Sequence, residues 1–64
     1  MKFDAETLFE IAQEEYRKAG RIATAEGAGQ WAAYSAEEEY ESEEEVREEL
    51  RGYIADEIKN EVTK

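Results

Sequence analysis

Sixty-four residues suffice for one small domain, and 18 acidic against 8 basic side chains set the formal charge at −10. His, Cys and Pro are all absent, which excludes a disulfide framework, a thiolate nucleophile, an imidazole base and any zinc site built from His and Cys. The longest uncharged stretch, Gly27–Ala36, is far shorter than the roughly 20 apolar residues that cross a membrane.

Composition favours helix throughout: Ala, Glu, Lys, Arg and Leu dominate, and β-branched residues are few. The N-terminal Met-Lys-Phe-Asp lacks the apolar run of a secretory signal, and a chain without Cys suits the cytoplasm, so a cytoplasmic location is expected. A first helix is expected from Asp4 to about Glu26. Asp4 suits the N-cap, Glu6 suits the positive end of the dipole, and Phe3 with Leu8 has the spacing of a hydrophobic staple. Leu8, Phe9, Ala12, Tyr16, Ala19, Ile22 and Ala23 then keep helical phase. Gly20, preceded by Arg17 and Lys18, has the pattern of a C-terminal stop. The phase nevertheless continues across it, so the break is placed at Gly27-Ala28-Gly29.

A short second helix is expected over 30–40, with Trp31, Ala32 and Ser35 on its inner face. Ser42 followed by Glu45 reads as a capping box that opens a third helix over 43–62. Val46, Leu50, Ile54, Ile58 and Val62 form one ridge of that helix, flanked by Tyr53. The expected fold is therefore all-α, a single small three-helix bundle in which a long first helix and a long third pack antiparallel and the short second closes one side. The alternative is a long helical hairpin, continuous from Gln30 onward. A core of this size rarely supplies more than about 3–5 kcal/mol, and self-repulsion reduces it. Either the packing is very regular or the chain associates, and a homodimer is favoured.

Two residues within this pattern have both a structural and a functional reading. Glu15 falls inside the apolar arc of the first helix, where an unpartnered carboxylate is costly. Its structural reading is a carboxylate at the arc's edge or paired with an Arg of a neighbouring helix; its functional reading is a buried specificity group or an acid of raised pKa. Trp31, the single Trp, reads as a core plug or as an exposed partner anchor.

Charge is uneven along the chain. Residues 1–32 carry a net −2 and residues 33–64 a net −8, and between Glu37 and Glu49 nine glutamates face one base, Arg47. In an isolated helix each like-charged i,i+4 pair costs on the order of 0.2–0.5 kcal/mol, so the cluster calls for a reason beyond stability. Carboxylates three or four residues apart stand about 5–6 Å apart at Cβ. That spacing is comparable to successive phosphates on a nucleic-acid strand. In its size, acidity, helicity and glutamate cluster the chain resembles, in type, the DNA-mimic inhibitors of phages and mobile elements, among them anti-restriction and anti-CRISPR proteins. No shared motif carries the resemblance.

It implies a protein-binding inhibitor that presents an acidic, phosphate-like face to a basic nucleic-acid-binding protein. Glu37, Glu38, Glu41, Glu44, Glu45, Glu48 and Glu49 would form the partner-binding face, with Tyr40 as a central contact and Tyr34 beside it. The plainer reading is a solvated acidic face kept for solubility. The alternative function is a self-associating helical module in which Trp31, Val46, Leu50 and Tyr53 matter. Catalysis, a cofactor and a defined metal site are not expected: paired carboxylates need an enclosing pocket, and no calcium-loop or Glu-x-x-His pattern occurs. Direct contact with nucleic acid or a membrane surface is disfavoured by the sign of the charge.

Overall fold

The first helix, α1, spans Ala5–Lys18 in the computed structural model, which describes residues 1–62. Asp4 caps it from an extended conformation, its carboxylate accepting the Thr7 N–H at 2.9 Å. Hydrogen bonding from the Thr7 side chain, with the Thr7 N–H adding to it, holds the Asp4 carboxyl below the usual carboxylate range. At the other end Gly20 adopts φ +73°. Its N–H bonds to the Arg17 carbonyl at 3.0 Å, and the Arg21 N–H bonds to the Tyr16 carbonyl at 2.9 Å. This pair of bonds is the Schellman stop. The expected continuation to Glu26 is thereby corrected, because a left-handed residue cannot extend a right-handed helix. Ile22, in phase with the buried stripe by sequence, is turned outward and is 84% exposed.

The chain resumes helical form earlier than expected. Thr24 accepts the Gly27 N–H at 2.9 Å and caps a single π-helical turn, Ala25–Gly29, which runs directly into α2, Gln30–Ser35. The glycines read as a break thus lie within a helical segment. Gly27 sits in a tight place: a Cβ at this position would meet the Tyr16 hydroxyl, the Glu57 carboxylate and the Thr24 hydroxyl, each at 3.3 Å, so those side chains would have to give by a few tenths of an ångström.

α2 stops at Ser35 rather than at Tyr40, and the residues up to Ser42 form an irregular connection. The cause is tertiary. Tyr40 is buried, its N–H donates to the Met1 carbonyl at 2.8 Å, and its own carbonyl accepts from the Met1 nitrogen at 2.7 Å. The ring meets Phe3 edge-on, with centroids 6.2 Å apart. A helix continuing through 36–42 would forfeit this plug, so the uninterrupted hairpin does not form.

α3 spans Glu43–Val62. Ser42 Oγ accepts the Glu45 N–H at 3.3 Å, and the Glu45 carboxylate reaches back to the Glu41 N–H at 3.4 Å. The reciprocal bond of the capping box thus falls one residue earlier than its usual partner.

The result is a small three-helix bundle, with no strand among the described residues. Its core joins Leu8, Ile11, Ala12 and Tyr16 of α1 to Trp31 and Ala32 of α2, Tyr40 of the connection, and Val46, Leu50 and Ile54 of α3. Trp31 is the core plug. Ile58, farther along the same ridge, is exposed, and the side chain of Val62 lies outside the described part.

Cross-helix pairs fix the direction of packing. Glu14 and Glu15 meet Arg47, Tyr16 meets Glu57, and Arg21 meets Glu57 and Glu61. The partners ascend together, so α1 and α3 run in the same direction, which corrects the antiparallel expectation. Residues 20–42 carry the chain back to the start of α1, where Tyr40 pairs with Met1, and α3 sets out again from that end.

Candidate functional site

Charge on α3 is sorted by which way each side chain faces. Arg47 is turned toward α1, where it meets Glu15 at 2.6 Å and Glu14 at 3.1 Å, and it also holds Glu43 of its own helix at 3.1 Å. Arg51 reaches Glu15 at 3.1 Å, and Lys18 approaches it at 3.4 Å. Glu15 is 4% exposed. Burial alone would raise its pKa, but Arg47, Arg51 and Lys18 together hold the carboxyl below the usual range. Glu15 is thus a paired structural carboxylate, as its structural reading expected.

The same geometry decides which glutamates remain uncompensated. Among the described residues Glu37, Glu38, Glu41, Glu45, Glu48 and Glu49 are exposed and form no ion pair. Glu39 lies 3.5 Å from the N-terminal ammonium, Glu43 is held by Arg47, and Glu44 is 3.7 Å from Arg51.

The carboxylates do not form one helical row. Glu37, Glu38 and Glu41 sit on the irregular connection, and only Glu44, Glu45, Glu48 and Glu49 share α3. Like-charged i,i+4 spacing therefore applies to Glu44–Glu48 and Glu45–Glu49 but not to Glu37–Glu41. The first-turn glutamates of α3 also lie at the positive end of its dipole, which offsets part of their repulsion.

Tyr40 is not a surface contact. It is 4% exposed, and its hydroxyl donates to Glu49 Oε1 at 2.8 Å. Burial, with the Glu49 carboxylate adding to it, pushes the hydroxyl above its ordinary range. The tyrosine that does reach solvent is Tyr34, 70% exposed. Of the four residues expected to carry self-association, Trp31, Val46 and Leu50 are buried within the protomer and Tyr53 is half-buried.

Sequence reasoning missed a cavity beside the carboxylates. Gln30, Trp31, Tyr34, Glu49 and Tyr53 line an open recess of about 390 Å³, at the small end of ligand pockets. Gln30 and Tyr34 are four residues apart, as are Glu49 and Tyr53, which places each pair on one face of its helix. That spacing is visible in sequence; the approach of α2 to α3 is not. Among the described residues no group of three acidic side chains converges to hold a metal ion, and no helix is long and apolar enough to cross a membrane. Comparison with protein-family models, curated proteins and solved structures found no match.

Proposed function

We propose that the protein is an inhibitor of the DNA-mimic type, which binds a basic nucleic-acid-binding protein through the carboxylates of the α2–α3 connection and of the first half of α3. The observation that carries this reading is the inward turn of Arg47. It is the one base between Glu37 and Glu49, and it is engaged with Glu14, Glu15 and Glu43. Glu37, Glu38, Glu41, Glu45, Glu48 and Glu49 are left without a cation of their own.

A basic groove that normally holds phosphates would release its counterions to such a surface, and affinity would fall steeply with salt. Glu44 and Glu49 adjoin the face while keeping their contacts to Arg51 and Tyr40. Exposed Tyr34 takes the aromatic role first assigned to Tyr40.

The test compares immobilised native protein with a Glu38/Glu41/Glu45/Glu48→Gln variant in a cell lysate at moderate salt. Recovery of a nucleic-acid-binding protein by the native chain alone, displaced by added duplex DNA, is the expected result. Equal recovery by both proteins, recovery that DNA does not displace, or no recovery overturns the proposal.

A further inference from the structure

The recess between α2 and α3 has a composition that selects its occupant. Three of its five walls are aromatic, Trp31, Tyr34 and Tyr53, and a fourth is the Glu49 carboxylate. Most of this lining is held in place before any ligand arrives. Trp31 is locked in the core. The Tyr53 hydroxyl donates to the Gly27 carbonyl at 3.2 Å. Glu49 Oε1 accepts from the buried Tyr40 hydroxyl, which anchors the carboxylate and leaves Oε2 without a partner among the described residues. Tyr34, 70% exposed, is the one aromatic wall free to adjust. A pre-formed lining loses little conformational freedom on binding.

We infer that this recess is an aromatic cage for a cationic side chain, and specifically for an arginine displayed on the surface of a basic protein. Aromatic faces attract cations through their quadrupole, and a carboxylate at the rim adds direct charge complementarity. Glu45, one turn before Glu49 on the same face of α3, adds to the same sign of potential, and the net charge of −10 repels acidic groups. An apolar side chain would fill the volume but would strip water from Glu49 without replacing its hydrogen bonds. A quaternary ammonium has no N–H to offer. A guanidinium presents a planar fork that stacks on a tyrosine while donating to Glu49 Oε2 and the Gln30 amide oxygen. The cage serves any basic partner and does not require that the partner handle nucleic acid.

The experiment is a titration followed by NMR, using the blocked tripeptide Gly-Arg-Gly and its citrulline counterpart, which has nearly the same shape but no charge. The arginine peptide is expected to shift the Trp31, Tyr34 and Tyr53 side-chain signals saturably, and the citrulline peptide is expected to leave them in place. Tyr34→Ala and Glu49→Gln alter exposed side chains, and each should weaken binding about fivefold. Three results overturn the cage: equal shifts with citrulline, arginine shifts spread along Glu37–Glu48 that survive Tyr34→Ala, or no shift at all. Movement of the same signals with protein concentration alone, before peptide is added, also overturns it by making a second copy of the chain the occupant. Displacement by DNA enters none of these readouts, so the cage and the mimicry stand or fall separately.

Discussion

Glutamates stand in two regions of this molecule under opposite conditions. At the α1–α3 seam Glu15 is buried and met by Arg47, Arg51 and Lys18. Across the α2–α3 connection and the first half of α3, Glu37, Glu38, Glu41, Glu45, Glu48 and Glu49 are exposed and meet no cation among the described residues. The two conditions are linked, because Arg47, the one base of the acidic stretch, and Arg51, two residues beyond it, both reach Glu15 on α1. Compensation of one buried carboxylate thus leaves several exposed ones uncompensated. A net charge of −10 says nothing about this division; the packing of two parallel helices decides it.

The largest expected effect breaks the seam. Arg47→Met removes the closest partner of Glu15 and should cost about 3 kcal/mol, the low end for one half of a buried ion pair, since Arg51 and Lys18 remain. Against the few kcal/mol available to a core of this size, urea denaturation should find the variant largely unfolded. Adding Glu15→Leu should bring stability back to within about 1 kcal/mol of native, because an apolar pair needs no compensation. A single variant as stable as the native chain would contradict the contrast between the regions.

Acidity should weaken the seam by the same logic. The Glu15 carboxyl is held below its unfolded value, so its contribution is complete above about pH 4.3 and is lost as pH falls through the lower folded value. The deficit of Arg47→Met should therefore close in acid, once Glu15 is neutral in both proteins. Tyr16 is the alkaline counterpart. Burial, and the hydrogen bond its hydroxyl donates to the Glu57 carboxylate at 2.6 Å, hold that hydroxyl above the ordinary range. Its contribution is complete below about pH 10 and declines above it.

What was legible in the sequence was local chemistry. Asp4, Ser42 and the Val46–Leu50–Ile54 ridge each declare themselves within a few residues. Gly20 also declared itself, with Arg17 and Lys18 before it, but the apolar phase through Ile22 argued the other way. The structure follows the glycine. Gly20→Ala should cost about 1–2 kcal/mol from the left-handed backbone alone, since a Cβ there meets nothing within 4 Å. Gly52→Ala, equally open but inside α3, should gain roughly 0.5–1 kcal/mol.

The remaining features were illegible because they join distant parts of the chain. Tyr40 is buried by Met1 and Phe3, and the Glu15–Arg47 pair needs α3 to run parallel to α1. The aromatic recess needs side chains of α2 and α3 brought to one opening, with α1 packed against both helices. In the candidate site the excess of glutamate was visible in the sequence, but the division of those glutamates between an irregular connection and a helix was not.

The smallest effects sharpen the other side of the comparison, because two exposed glutamates three residues apart should respond in opposite directions. Glu48 has no ion partner and lies four residues from Glu44 on α3, so Glu48→Gln relieves a like-charge contact and should gain about 0.2–0.5 kcal/mol. Glu45 lies in the first turn, where its charge meets the positive end of the helix dipole and its carboxylate accepts the Glu41 N–H. Glu45→Gln forfeits about 0.3–1 kcal/mol of that dipole interaction and regains about 0.2–0.5 kcal/mol by relieving Glu49 four residues on, so a small net loss is expected even though the amide oxygen can keep that bond. Salt should shrink both differences, whereas the Arg47→Met deficit should persist, since buried pairs are screened least. Thermal unfolding at two salt concentrations reads all three variants together. Glu48→Gln is the informative one beside a binding assay: a substitution that raises stability while abolishing capture identifies a carboxylate maintained for a partner and not for the fold.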